Sequence, residues 1–129
     1  MPTNVRIIHA HDFIKATAEG DFDFEETRRL LLEVATAAGP LKDFDIILDT
    51  RKATSHLSIS DLWNLANSLG QFGKTFRRKT AILCSTDRLD NATFFALCAE
   101  NRGFAVQAFI DAAEAIDWLS MPSEHEQSA

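Results

Sequence analysis

The apolar residues of this chain change their spacing repeatedly, and this alternation constrains the fold more than any other feature. Short, nearly continuous apolar runs such as Ile46-Ile47-Leu48 are followed by stretches in which apolar residues recur every three or four positions. The first pattern is typical of a buried strand and the second of a helix with one buried face. Strands that alternate with helices predict an α/β fold with a mostly parallel sheet.

The predicted element order is β-β-α-β-α-β-α-β-α within a single domain. Strands are predicted at residues 4–9, 13–20, 44–48, 80–84 and 104–109, and helices at 24–38, 59–69, about 90–102 and after Asp111. The first two strands are expected to pair antiparallel, because too few residues separate them for a parallel crossover. The domain is predicted to span residues 1–119, with a polar tail at 120–129.

Capping residues mark the ends of the predicted helices. Asp23 followed by Glu26 and Ser58 followed by Asp61 have the spacing of a capping box, and Gly103 is typical of the residue after a helix. The buried helix faces are predicted to contain Phe24, Leu31, Val34, Ala35 and Ala38; Ile59, Leu62, Leu65, Ala66 and Leu69; Phe94, Phe95, Leu97 and Cys98; and Ala115, Ile116 and Leu119.

Charge and hydropathy exclude several classes of partner. A net charge of −6 argues against nucleic acid or an anionic membrane surface as the main partner. No signal peptide opens the sequence and no apolar run approaches membrane-spanning length, so a cytoplasmic protein without stable membrane insertion is expected. The two cysteines, Cys84 and Cys98, lie in apolar surroundings without metal-ligand spacing and are expected to be buried, reduced thiols.

The histidines do not form a recognisable metal site. They are His9, His11, His56 and His125. His9 and His11 would share one side of an extended strand, but the sequence shows no third ligand, and we expect no metal or cofactor. His56, near Asp49 and Ser58 in sequence, is the one hint of an acid–base group, and without a nucleophile motif or paired acids we expect no catalytic residue.

Basic and aromatic residues offer two further surfaces. Lys74, Arg77, Arg78 and Lys79 surround Phe76 and form either a charged surface loop or a contact for a lipid head group or an acidic partner. The ten phenylalanines are more than one small core is expected to hold. Trp63 and Trp118 flank the buried stripes of their helices and cover core edges or anchor a partner.

Two polar clusters follow predicted strands and form the candidate site. Asp49, Thr50, Arg51 and Lys52, with Ser58 across the loop, make the first cluster; Ser85, Thr86, Asp87 and Arg88 make the second. Ligands of open parallel sheets bind beyond the carboxyl ends of the strands, beside helix N-termini. These residues could hold a phosphate or carboxylate there, or they are solvated loop and capping residues.

Three segments together resemble the SpoIIAA-like group of the STAS superfamily, which shares its architecture with lipid-binding CRAL-TRIO domains. They are residues 46–51 at the end of the central strand, 78–83 leading into the next, and 99–109 with its continuation to Asp117-Trp118-Leu119. The resemblance covers nearly the whole chain and implies a SpoIIAA-like fold. It also implies a non-enzymatic regulatory module that binds another protein or itself, as a homodimer.

Anti-sigma-factor antagonists of this group carry a phosphorylatable serine at the start of the helix after the central strand. Ser58 and Ser60 lie at the corresponding place and are the candidate phosphorylation sites, with Thr50 as a further hydroxyl. The Ser-Ser-Gly that accompanies such a serine is absent from residues 49–61. The alternative function is a carrier of a small apolar or anionic ligand, lipid-like or nucleotide-like, at the strand ends.

Overall fold

A computed structural model describes residues 4–9, 13–39, 44–73 and 75–121. The strands are β1 (Asn4–His9), β2 (Phe13–Phe22), β3 (Asp45–Ser55), β4 (Thr80–Leu83) and β5 (Val106–Phe109). The helices are α1 (Phe24–Ala38), α2 (Ile59–Ser68), α3 (Leu89–Glu100) and α4 (Ala112–Ser120), with short 3-10 turns at Leu69–Phe72, Thr75–Arg77 and Thr86–Arg88. The predicted order of elements is confirmed. His11, Lys74, His125 and most of the predicted tail lie outside the described residues.

The five strands form one sheet in the order β1-β2-β3-β4-β5. β1 pairs antiparallel with β2, and the other three pairings are parallel. The antiparallel hairpin and the parallel remainder are therefore both confirmed. No helix in the described parts of the chain is long and apolar enough to cross a membrane.

β3 is much longer than its apolar run predicts. The prediction ended the strand at Leu48, whereas the strand continues to Ser55 because β2 pairs with it as far as Phe22. The sequence after Leu48 has no apolar alternation, so only its pairing partner extends it. β4 ends much earlier, with Leu83 opposite Asp49, and the paired β2 and β3 extend beyond the rest of the sheet.

The two faces of the sheet are covered unequally. On the three-helix face, α1, α2 and α3 bury a core that includes Ala16, Ile46, Leu48, Leu65 and Ile82. On the one-helix face, α4 covers a smaller cluster made of Ile47, Ala81, Leu83, Phe109 and Ala115. Because each large buried side chain contributes about 1.5–3 kcal/mol, most of the hydrophobic stabilisation comes from the three-helix face.

The predicted helix caps are confirmed. The Asp23 carboxylate accepts a hydrogen bond from the Glu26 amide at 2.9 Å. At the start of α2 the box is complete: the Asp61 amide donates to Ser58 Oγ at 3.1 Å, and the Ser58 amide donates to the Asp61 carboxylate at 3.0 Å. Gly103 has a φ of 88°, which only glycine adopts freely, and ends the turn after α3 as predicted.

Three residues assigned to buried helix faces are instead exposed. Ile59 is 58% exposed, Leu97 54% and Ile116 45%. Leu97 faces away from the core because α3 buries the residues on either side of it, whereas Ile59 lies roughly 70° around α2 from the centre of its buried stripe. Leu30, which the prediction omitted, takes a core position in α1.

Several predicted boundaries also differ by a few residues. β4 ends at Leu83 and β5 begins at Val106, so both strands are shorter than predicted. α2 ends at Ser68, because the buried Leu69 begins a 3-10 turn. Both predicted cysteine positions are confirmed as buried free thiols.

Candidate functional site

The first candidate cluster lies where β4 ends beside the middle of β3. Asp49 is opposite Leu83 of β4 on one side and Thr17 of β2 on the other. Thr50 has no partner residue in β4, and its hydroxyl donates to the Leu83 carbonyl oxygen at 2.8 Å. This hydrogen bond ties the end of β4 to the middle of β3.

A β-bulge sets the geometry of Asp49 and Arg51. Between the pairs Thr17–Asp49 and Glu19–Lys52, β2 contributes one residue and β3 contributes two. A bulge re-aims the side chains of the strand that contains it. Here the guanidinium and the amide of Arg51 both contact the carboxylate two residues earlier.

Asp49 is a nearly buried carboxylate whose negative charge is balanced by two neighbouring cations. It is 6% exposed, and it accepts hydrogen bonds from Arg51 Nε at 3.0 Å, Nη2 at 2.8 Å and the backbone amide at 3.2 Å. Lys15 Nζ of β2 lies 3.7 Å from the same carboxylate. Burial opposes ionisation, but the hydrogen bonds and charge of Arg51, with the charge of Lys15, outweigh it and lower the pKa of Asp49.

Asp111, which follows β5, adds a further charge near Arg51. The hydrogen bond from Arg51 to Asp49 raises the pKa of Arg51, and the charge of Asp111 adds to the effect. Asp111 caps α4 by accepting the Glu114 amide at 3.2 Å. The middle of β3 and the carboxyl-terminal end of β5 therefore both contribute charged side chains to this region.

The second predicted cluster forms a 3-10 turn after β4. Thr86, Asp87 and Arg88 make the turn, and Ser85 precedes it. A hydrogen bond from Ser85 lowers the pKa of the exposed Asp87 carboxyl. The neighbouring Cys84 is buried, which raises the pKa of its thiol, and the charge of Asp87 adds to that effect.

The structure does not bring Ser58 to Asp49. Asp49 and Ser55 lie six positions apart on the extended strand, roughly 20 Å at the usual rise, and Ser58 lies beyond them at the start of α2. His56 follows the same strand, and its Nε2 lies 3.8 Å from Asp21. The suggested acid–base grouping of His56 with Asp49 and Ser58 is therefore wrong, because the extended β3 holds its members apart.

Lys52 also differs from its predicted environment. Its side chain is largely exposed and lies 4.0 Å from Glu19 of β2, so it forms a surface ion pair with the neighbouring strand. The first cluster thus reduces to Asp49, Thr50 and Arg51, with Lys15 as a member that the sequence prediction missed. The pairing of β2 with β3, which the sequence does not reveal in detail, brings Lys15 there.

The start of α2 exposes both hydroxyls and apolar side chains. Ser58 and Ser60 are exposed, and Ile59 and Trp63 lie one turn apart on the solvent side of α2, with Trp63 47% exposed. We call Ser58, Ile59, Ser60 and Trp63 the α2 surface. Arg102 fixes the indole, because its guanidinium lies 5.1 Å from the centre of the Trp63 ring.

The predicted basic cluster is divided among structural contacts. Lys79 Nζ donates to the Trp118 carbonyl at 2.9 Å and to the Met121 carbonyl, and it also lies 5.4 Å from the Trp118 ring. Arg78 Nε donates to the Phe44 carbonyl at 2.9 Å, and Arg77 stacks over Phe104. Phe76 is buried and its ring packs edge-on against Phe72. These contacts favour the charged-loop interpretation over a head-group site.

Two open clefts flank α1, with volumes of about 230 and 310 Å³. Their linings mix charged and apolar residues. The smaller is lined by Asn4, Val5, Phe22, Glu26, Arg29, Leu30 and Glu33, and the larger by Glu25, Arg28, Arg29, Leu32, Gln71 and Phe72. Within the described ranges no three His, Cys, Asp or Glu side chains group as metal ligands, and no buried side-chain polar atom lacks a partner.

Comparison with known proteins identifies the fold. No protein-family model matches the sequence, and no curated protein matches it. Among solved structures, an anti-sigma factor antagonist from Mycobacterium paratuberculosis superposes with a TM-score of 0.64 at 11% identity, covering 93% of this chain and 96% of that one. SpoIIAA in its unphosphorylated form gives a TM-score of 0.53 at 13% identity, with 90% and 97% covered.

A third solved structure is similar in the same way. It is an uncharacterised protein of the DUF3478 family with a SpoIIAA-like fold, from Shewanella loihica PV-4. The TM-score is 0.58 at 19% identity, covering 91% of this chain and 93% of that one. At these identities the matches establish the fold, and the chain has the SpoIIAA-like fold that its sequence resembles.

Proposed function

We propose that this protein is a non-enzymatic regulatory module that binds another protein through the α2 surface. The observation that carries the proposal is the exposure of Ile59 and Trp63 beside two accessible serines at one helix start. Two proteins of the same fold are anti-sigma factor antagonists, and SpoIIAA has an unphosphorylated form. Binding to a protein partner in regulation is the function that fits both facts.

The apolar part of the α2 surface has the character of a binding anchor. Trp is among the residues that contribute most to protein–protein affinity, because it buries a large area with few rotamers. Arg102 holds the Trp63 ring in place, donating also to Asn67 and to the Cys98 carbonyl at 2.7 Å. An indole that is already fixed loses little entropy when a partner covers it.

The two serines are not equivalent as phosphate acceptors. Ser58 Oγ and the Asp61 carboxylate are both used by the capping box, so a phosphate on Ser58 would meet the Asp61 charge. Ser60 lies in the first turn of α2, where a helix N-terminus favours negative charge. We propose Ser60 as the better acceptor, and its modification would place two negative charges next to Trp63.

The test is partner capture in the cells that make the protein, with variants at and away from the α2 surface. A partner recovered by cross-linking with the wild-type chain should be lost with Trp63→Ala and reduced with Ser60→Glu. Leu97→Ala, an equally exposed apolar residue on α3, is the matched control and should retain the partner. Equal capture by wild type and Trp63→Ala would refute the α2 surface as the contact.

The small-ligand alternative stays a prediction. Asp49, Thr50 and Arg51 already form hydrogen bonds to one another or to the backbone. The clefts beside α1 are open and are lined in part by charged residues. Pockets for lipid-like ligands are usually concave and mostly apolar. Ser85, Thr86, Asp87 and Arg88 remain available for a small anion, which phosphate titration followed by amide chemical shifts would reveal.

A further inference from the structure

Arg102, which follows α3, makes only neutral contacts within the described chain. Its guanidinium lies 5.1 Å from the centre of the Trp63 ring, Nε donates to Asn67 Oδ1, and Nη1 donates to the Cys98 carbonyl at 2.7 Å. None of the ion pairs of the described residues includes it. The side chain is therefore held firmly in place, but no acid balances its charge.

The guanidinium of Arg102 keeps donors for a ligand. It has five N–H groups, and the hydrogen bonds to Asn67 and Cys98 use one on Nε and one on Nη1. Both N–H groups of Nη2 remain. Because no buried side-chain nitrogen of the described residues lacks a partner, Nη2 must be in contact with solvent. A carboxylate arriving from solvent can therefore reach it, and such pairs commonly form two parallel hydrogen bonds.

Arg102 extends the α2 surface toward α3. Ile59, Trp63 and Asn67 follow one another at intervals of four residues, so they form one stripe along α2, and all three are exposed. Arg102 contacts both Trp63 and Asn67. Two apolar side chains, an amide and a guanidinium thus form a continuous surface across the two helices.

No acid of the described chain belongs to this stripe. Asp61 lies two residues before Trp63, which on a helix places it roughly 160° away, and its carboxylate accepts the Ser58 amide in the cap of α2. Glu100 is exposed at the end of α3 and forms no ion pair with Arg102. The carboxyl-terminal end of α3 supplies only a partial negative charge. The stripe is therefore apolar and cationic on a chain whose net charge is −6.

We propose that the partner bound through the α2 surface presents an acidic side chain, which pairs with Arg102 while an adjacent apolar side chain covers Trp63. This inference rests on the proposed function and adds the chemistry of the partner. Trp and Arg are among the residues most enriched at the energetic centres of interfaces, and here the two are stacked on each other. It also gives the modification of Ser60 a direction, because a phosphate on the same helix repels an acidic partner.

Selection of random phage-displayed peptides on the full-length chain tests this chemistry with a defined probe. Peptides that wild type retains and Trp63→Ala loses are ligands of the α2 surface, and we expect them to share an Asp or Glu next to a large apolar residue. One such synthetic peptide is then titrated by calorimetry. Its Kd should rise at least about tenfold with Arg102→Gln, and added salt should weaken its binding to wild type.

Charge exchange separates a direct ion pair from mere positioning of the indole. Arg102→Glu should reject the acidic peptide and bind the same peptide with its acid replaced by Lys, whereas wild type should show the reverse preference. Binding of the Lys peptide also shows that Arg102→Glu is folded. Arg29→Gln, which changes an exposed arginine of α1, is the matched control and should leave the Kd unchanged.

The outcomes distinguish this inference from the proposed function. Trp63-dependent peptides without a carboxylate would overturn the inference and leave the α2 surface standing. An acidic peptide whose Kd does not change with Arg102→Gln would do the same, as would a charge exchange that restores no binding. A selection that yields no Trp63-dependent peptide would count against the α2 surface itself, and the inference would fall with it.

Discussion

The two faces of the sheet are stabilised in different ways. On the three-helix face, small and branched apolar residues such as Ala16 and Ile46 pack under three helices. On the one-helix face, the centre is Asp49, a nearly buried carboxylate held by Arg51 and Lys15. The first face is stabilised by burial, whereas the second relies in part on matched charge. Most of the stability therefore comes from the three-helix face, whose helix α2 also carries the proposed partner surface.

The largest expected effect comes from truncating the three-helix core. Leu65→Ala removes a fully buried side chain of α2 and leaves a cavity that neighbouring strands cannot fill. We expect the free energy of unfolding to fall by about 2–5 kcal/mol, measured by urea denaturation. Leu97→Ala on α3 is the control and should change it by less than about 0.5 kcal/mol. A small effect of Leu65→Ala would break the assignment of stability to this face.

The next effect tests the charge network of the one-helix face. Arg51→Ala removes both guanidinium hydrogen bonds from Asp49 and leaves a nearly buried carboxylate with Lys15 alone. Because Arg51 is itself partly exposed, we expect a loss of about 1–3 kcal/mol instead of the full value for a buried pair. Lys52→Ala, which removes an exposed ion pair, should cost less than about 1 kcal/mol. Equal losses in the two variants would contradict the special role of Asp49.

A smaller effect should distinguish the serines of the α2 surface. Ser58→Ala removes the hydroxyl that accepts a hydrogen bond from the Asp61 amide. This change should lower the free energy of unfolding by about 1 kcal/mol. Ser60→Ala removes a hydroxyl that caps nothing in the hydrogen bonds described for α2, and should change it by less than about 0.5 kcal/mol. Thermal unfolding of both variants side by side provides the measurement. A larger loss for Ser60→Ala would reverse their proposed roles.

The smallest effect is in the acid dependence of stability. The folded-state pKa of Asp49 is lowered, so its contribution is present above its unfolded pKa of about 3.9 and is lost as the pH falls through the lower folded value. Wild type should therefore lose more stability than Asp49→Asn between neutral and strongly acidic pH. Urea midpoints measured across that range compare the two proteins. Parallel curves would show that Asp49 is not preferentially stabilised as the anion.

The fold was predictable because its signals are local. The hairpin, the alternation of strands and helices and the caps at Asp23, Ser58 and Asp111 all depend on neighbouring residues, and all are confirmed. The exposure of Ile59 and Leu97 was not predictable from periodicity, because apolar type alone does not show which side of a helix lacks a neighbour. That depends on how the helices are arranged over the sheet.

The candidate site was predictable only in part. Asp49 and Arg51 were both named, and their i, i+2 spacing would have placed them on one side had the strand been predicted to continue. Their hydrogen bonds depend on the bulge, and Lys15 depends on the register between β2 and β3. Neither has a signature in a single sequence. The separation of Ser58 from Asp49 follows from the same missed extension of β3.

The extended β3 also separates the charges around Asp49 from those at the start of α2. The ionic atmosphere at physiological salt screens charges over about 8 Å, and the strand from Asp49 to Ser55 spans more than twice that distance. A phosphate added at the start of α2 would therefore leave the protonation of Asp49 and the guanidinium of Arg51 essentially unaltered. Under the modification proposed for Ser60, the groups around Asp49 would therefore keep their charge state.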